Sequence, residues 1–206
     1  MVINWYGQGC FKIQSGDTVL MVDDVGADSG LTSPRFKFDL ALRTKTTFPL
    51  DYDNQQTDKI VFGPGEYEIK GVEVEGWKIA NSGSEKNPEI NTVYKVKMED
   101  MELGFLGAID KFPDASILEE LGGSDILFLP IGGSPYISEE SAAKLVKQLN
   151  PKIAIGTHFK ISGLKEKVSG FEDFLKEIGQ DSKQEEKLTI KRKELPLSLK
   201  VVILKP

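Results

Sequence analysis

Hydrophobic residues recur with a period of two along the first half of the chain and take helical spacing only after residue 113. Residues 2–25 read as β structure: Cys10-Phe11-Lys12-Ile13 and Asp17–Val22 flank Ser15-Gly16, a hairpin turn signal. A third run, Asp39-Leu40-Ala41-Leu42, leads into Arg43-Thr44-Lys45-Thr46-Thr47, whose polarity reads as a loop after a strand. Residues 51–59 lack apolar periodicity and predict an exposed loop. Lys59–Phe62 is the next strand, closed by the turn Gly63-Pro64-Gly65. Tyr67, Ile69, Val72 and Val74 then alternate with glutamates around Gly71, which predicts a bulge or tight hairpin with one wet face. A loop over 81–87 precedes two more strands, Thr92–Val96 and Glu102–Leu106, joined through Glu99-Asp100.

The second half reads differently. Pro113-Asp114 opens a short helix through Leu121, with Gly122-Gly123 as its stop. Ile126-Leu127-Phe128-Leu129 is apolar throughout, the mark of a strand buried on both faces. Ser138 caps a helix whose Ala142, Leu145, Val146 and Leu149 share one face, and Asn150-Pro151 ends it. A strand over Ile153-Ala154-Ile155 follows, then a helix carrying Phe171, Phe174, Leu175 and Ile178 with Gly179 as its stop. Leu188–Arg192 and Leu199–Leu204 predict closing strands. Hairpins, then βα units, then strands fit two packed sheets with helices on the outer faces, an αββα sandwich of the α/β (α+β) class. No linker or repeat divides residues 1–206, so one domain is expected.

Composition changes this picture little. Hydrophobic residues at 39% and charged residues at 28% are ordinary globular values. The net charge of −6 argues against nucleic acid or an anionic membrane as partner. Cys10 is the only cysteine, which suits a reducing compartment. The first residues lack the pattern of a signal peptide, and no apolar run approaches the ~20 residues of a membrane helix. A cytoplasmic protein is the expectation.

Candidate chemistry is sparse. His158, the only histidine, follows the Ile153–Ile155 run, where a strand's C-terminal edge would present it. Alone it reads more readily as a hydrogen-bonded side chain than as a ligand or base, because such histidines come with partners. Pairing with Cys10 as nucleophile and base would need an activated thiol, whereas Cys10 lies in an alternating strand that favours a buried, inert one. Gly132-Gly133-Ser134 lacks either phosphate-loop pattern and reads as a plain turn. One His and one Cys exclude a histidine-rich zinc site. Asp23, Asp24, Asp51 and Asp53 could offer an oxygen site for Mg²⁺ or Ca²⁺, but they lack the spacing of a calcium loop and read more readily as solvated surface.

Several segments in order carry a resemblance: Ile3–Ile13, Leu20-Met21-Val22-Asp23, Gly63-Pro64-Gly65-Glu66-Tyr67-Glu68-Ile69-Lys70-Gly71-Val72, Leu103–Gly107, Leu129–Gly133 and Thr157-His158-Phe159-Lys160. They resemble the metallo-β-lactamase-fold proteins, in particular the small group around L-ascorbate-6-phosphate lactonase and its uncharacterised zinc-dependent hydrolase relatives. The resemblance implies the αββα fold and a zinc or manganese centre, yet most ligand positions are replaced. Gln8 stands where the family carries a histidine in its first motif. Lys45, Thr47, Pro49 and Leu50 fall on its His-x-His-x-Asp-His loop. Asn81 falls near the next histidine, and Ala108 on the bridging aspartate, with Asp110 two residues on. His158 keeps the last ligand position and Asp23 the acidic residue after the second strand.

An ammonium at Lys45 would repel a metal and partly replace its charge. The expectation is therefore a former-site pocket of Gln8, Asp23, Lys45, Thr47, Asn81, Ala108 and His158, with no metal and no cofactor. It would hold a small polar or anionic ligand in a binding or scaffold protein, self-associating or paired with an active homologue. The alternative is a hydrolase of phosphorylated lactones or esters with a rearranged or metal-free site.

Overall fold

The alternating strands of the first 62 residues and the apolar strands of the second half build different sheets. The structure, a computed structural model, describes residues 1–47, 59–79 and 89–206. Segment 51–58, the loop over 81–87, Pro49, Leu50 and Asn81 lie outside these residues. The first sheet runs β14 (Leu188–Thr189), β1 (Val2–Trp5), β2 (Phe11–Ser15), β3 (Thr18–Val22), β4 (Leu40–Arg43), β6 (Ile60–Phe62). The second runs β13 (Gln184–Glu185), β15 (Lys200–Leu204), β12 (Ile153–Thr157), β11 (Ile126–Pro130), β10 (Met101–Phe105), β9 (Glu89–Met98), β8 (Val72–Ile79), β7 (Gly65–Ile69).

Period-two alternation sorts the core. Leu20, Val22, Leu40 and Leu42 face the space between the sheets with Phe11 and Phe128, while Met21, Ala41 and Cys10 face outward under Leu31, Phe36 and Phe38. Phe11 meets Phe128 edge-on at 4.8 Å between centroids, and Phe128 stacks on Phe105 at 4.4 Å, so aromatic rings join the two sheets. Helices α1 (Ala115–Leu121), α2 (Glu139–Leu149) and α3 (Glu172–Ile178) belong with the second sheet, α1 against β9 and α2 against β11 and α3. Among the described residues, the cover on the outer face of the first sheet is segment 26–38, which carries no helix. No helix among the described residues is long and apolar enough to cross a membrane.

The expected turns form as tight hairpins. Lys70-Gly71 and Glu99-Asp100 all have positive φ, as a two-residue turn of the twisted type requires. Two expectations change. The polar run after β4 is not a loop: Lys45–Thr47 is a strand, β5, that leaves the first sheet and pairs with Glu89–Asn91 of β9 in the second. It takes up the β9 edge where β10, paired with Tyr94–Met98, stops. The closing strand Leu188–Arg192 shrinks to Leu188–Thr189, because the chain turns into a 3₁₀ segment at Arg192–Glu194, where Glu194 accepts from the Lys191 N–H at 3.3 Å.

Candidate functional site

Parallel neighbours β3 and β4 of the first sheet, and β10, β11 and β12 of the second, aim their carboxyl ends at one cavity of about 610 Å³. Open α/β sheets commonly present ligand-binding groups at this edge. Asp23 follows β3, Ala108 and Asp110 follow β10, Tyr136 follows β11 and His158 follows β12. Gln8 enters from the β1–β2 turn, and Lys45 and Thr47 from β5. Of the expected former-site pocket, Gln8, Asp23, Lys45, Thr47, Ala108 and His158 line one cavity, and Asn81 is not among the described residues.

Backbone geometry marks the same place. Gln8, Asp23 and His158 adopt left-handed φ values of 49°, 50° and 50°. Elsewhere among the described residues, positive φ in non-glycine residues belongs to hairpin turns or, at Asn150, to a helix cap. Three such residues around one cavity carry backbone strain of order 1–2 kcal/mol each, a pattern that concentrates at functional sites.

Gln8 ties the elements together. Its carbonyl accepts from Trp5 Nε1 at 3.0 Å and from the His158 N–H at 3.3 Å. Its side-chain Oε1 accepts from the Gly26 N–H at 2.9 Å, and its Nε2 donates to Glu166 Oε2 at 3.4 Å. Glu166 Oε2 also accepts from Tyr136 Oη at 2.7 Å, and the Tyr136 ring lies 4.6 Å from the His158 ring. Burial first, then the Glu166 carboxylate, raises the Tyr136 phenol well above its ordinary range.

Asp23 and His158 flank Gly9: a Cβ there would come 2.9 Å from Asp23 Oδ2 and 3.1 Å from His158 Cε1. The Asp23 carboxylate accepts from the Thr44 N–H at 2.7 Å and Thr44 Oγ1 at 2.6 Å. Burial still raises its pKa against those two bonds. Burial pushes the His158 imidazole down to about 3, so the ring is neutral near pH 7, with Nδ1 2.9 Å from Thr157 Oγ1. Lys45 pairs with Glu89 at 2.9 Å. Cys10 takes no part: it is buried in the outer apolar cluster, and burial, reinforced by Asp24 and Asp23, pushes its thiol up to about 12.

Arg43, Asn91, Tyr136 and Glu166 are cavity residues that the sequence did not single out. Glu166 stands among Lys160, Lys165 and Lys167 in a segment without periodicity, and no local signal distinguishes it. Tyr136 offered a weak signal, an aromatic residue in a turn of small residues after a buried strand.

A family model for the beta-lactamase superfamily domain matches residues 2–158. The chain belongs to the beta-lactamase superfamily. A protein of Pyrococcus horikoshii named a metal-dependent hydrolase is 31% identical over 112 residues, 52% of this chain and 48% of that protein. One from Archaeoglobus fulgidus is 32% identical over 111 residues, 54% of this chain and 41% of that protein. The chain spans about half the length of the curated relatives it matches. In fold, it superposes on a Thermotoga maritima protein of the metallo-β-lactamase superfamily with a TM-score of 0.78 and 24% identity, covering 98% of this chain and 97% of that one. A metallo hydrolase of Ignicoccus hospitalis follows at 0.60 and 13% identity, covering 97% and 94%.

The superfamily's relatives imply a metal, and the donor set here fits a dinuclear centre poorly. Among the described residues no group of three or more His, Cys, Asp or Glu could hold an ion. Asp23 and His158 are two donors, and the Asp23 carboxylate is already engaged by Thr44. Asp24, Glu89, Asp110 and Glu166 also line the cavity without forming such a group, and the positions that the family gives to ligands carry Thr47, Ala108, the Lys45 ammonium and a Gln8 amide occupied at both ends.

Proposed function

We propose that this beta-lactamase superfamily protein binds a small polar ligand in the cavity at its strand ends and acts as a binding or scaffold protein rather than as a dinuclear metal hydrolase. The carrying observation is the commitment of Gln8. At the family's first histidine position, its Oε1 and Nε2 span from Gly26 to Glu166 and tie the β1–β2 turn to two other segments. Lys45, paired with Glu89, stands at a position that the family gives to a histidine, and its ammonium offers no lone pair to a metal. Without a metal, nothing in this donor set generates hydroxide from water at neutral pH. The test is elemental analysis of dialysed protein after incubation with Zn²⁺ or Mn²⁺. Well under one equivalent is expected; a full equivalent that disappears in His158→Asn overturns the reading.

A second reading, a hydrolase of phosphorylated lactones or esters, draws on the relatives named metal-dependent hydrolases and on the strained backbone kept at Gln8, Asp23 and His158. It would lean on Lys45, Asp23 and His158. A substrate screen followed by Lys45→Ala and His158→Asn separates the two: loss of turnover in both favours the enzyme. Pairing with a second copy or an active homologue is compatible with the binding reading, and light scattering after size exclusion reads it directly.

A further inference from the structure

The binding reading leaves the ligand's chemistry open, and the charges that line the cavity narrow it. Both cations there are already answered. Lys45 pairs with Glu89 at 2.9 Å, and at Asp23, whose pKa burial raises, the Arg43 charge acts the other way. Asp24, Asp110 and Glu166 remain, and none of them has an ion pair among the described residues. Asp24 accepts from the Val25 N–H and from Ser33 Oγ, each at 2.9 Å, and Glu166 accepts from Tyr136 and Gln8. Asp110 has no hydrogen-bond partner among the described residues. Neutral donors leave a carboxylate its charge, so the cavity repels a bare anion and draws in a cation.

That charge is spread along the cavity. Asp24 follows β3, Asp110 follows β10 and Glu166 follows β12, and no three His, Cys, Asp or Glu side chains among the described residues could hold one ion. About 610 Å³ is room for an organic molecule. His158 adds a second, independent sign of a ligand. It lines the cavity at 5% exposure with Nδ1 on Thr157 Oγ1, while its Nε2 has no hydrogen-bond partner among the described residues. Unlike Arg43 Nη1, this atom is not wholly shielded. It lies 3.5 Å from the point that a Cβ on Gly9 would take, and Asp23 Oδ2 lies 2.9 Å from the same point. With the ring proton on Nδ1, Nε2 keeps a lone pair for a ligand N–H.

We propose that the cavity binds a linear di- or polyamine, with one N–H on His158 Nε2 and its charges spread over Asp24, Asp110 and Glu166. This rests on the binding reading above. Calorimetric titration of the full chain at about 0.15 M salt, with putrescine, cadaverine and spermidine against butylamine and succinate, tests it. At least one of the three amines with several charges should bind about tenfold or more tightly than either other probe. Asp110→Asn should weaken it about fivefold, the scale of a half-exposed ion pair. Glu68→Gln, an equal change of charge on exposed β7 outside the cavity, should leave it unaltered. The Nε2 resonance of the only histidine should move on binding. Butylamine or succinate binding as tightly as the best amine, equal weakening by the two variants, or an unmoved Nε2 resonance overturns the proposal and leaves the binding reading intact. No binding by any of the three also overturns it. The binding reading falls separately, on stoichiometric Zn²⁺ or Mn²⁺ in the same preparation. The wild-type comparison of probes needs no variant to fold.

Discussion

His158 is the residue whose chemistry the fold changes most. Its imidazole is held near a pKa of about 3, against 6.5 for a free histidine, because burial penalises the charged form. A depressed histidine contributes stability that is complete above pH 6.5 and is lost as pH falls toward 3, since the unfolded chain takes up the proton first. Asp23 acts in the opposite sense: its raised pKa means the folded state gains on protonation. The two partly cancel in the wild type, so the comparison must be with a variant. His158→Asn keeps a residue that tolerates the left-handed backbone. Denaturant titrations between pH 7 and 4 should show the wild type losing stability relative to this variant, by up to about 1.4 kcal/mol per pH unit. Parallel curves would mean that the ring is solvated and charges freely. Glycine positions around the site are equally strict. A Cβ on Gly132 would run into the His158 carbonyl oxygen, a backbone atom that cannot swing away. Gly132→Ala should therefore cost about 2 kcal/mol or more by chemical denaturation. The sequence identified His158 and Asp23 as residues to watch, and the cavity gathers them. It could not reveal that Gln8 bonds at both ends, because Gly26 and Glu166 are 18 and 158 residues away.

At the scale of elements, agreement between pattern and structure follows how local the determining contacts are. Helix α2 was legible because its signals are adjacent in the chain: Ser138 accepts from the Ser141 N–H, Glu139 and Glu140 fill the first turn, and Asn150 ends it in the left-handed region. Ser138→Ala removes that acceptor and should cost about 1 kcal/mol. In a chain of this size that is a fall in Tm of about 2–4 °C, read by calorimetry. Strand β5 was illegible for the converse reason. Lys45-Thr46-Thr47 has no apolar alternation, and what makes it a strand is its pairing with Glu89–Asn91, more than 40 residues on. Room for that crossing comes from Gly107, where φ is 62° and any Cβ would meet Thr44 Oγ1 at 2.5 Å. The crossing carries Lys45 and Thr47 from the first sheet to the second, and with them part of the cavity wall.

For the whole molecule, the two sheets are held by what lies between them, and the site rests on the same layer. Phe11 and Phe128 lie beneath Asp23, Thr44 and His158, lining the small space under them. Phe128 also stacks on Phe105 and meets Phe11 from the facing sheet, so it links β2, β10 and β11 at once. Met21 is just as buried but belongs to the outer cluster under segment 26–38, where the cover is a chain segment without regular structure. A cavity under such a segment can collapse, whereas one between two sheets cannot close without moving a sheet. Phe128→Ala should therefore lose about 3–5 kcal/mol and Met21→Ala about 2, both measured by guanidinium denaturation. Equal losses would mean that the outer segment packs as tightly as the inter-sheet core. Because Phe128 floors the site, its loss should also raise hydrogen exchange at the Asp23 and His158 amides, whose N–H groups bond to Leu42 and Gln8. Met21→Ala should leave the His158 amide protected, since Met21 packs with Cys10, Val25 and Ala41 rather than with Phe128 under the site.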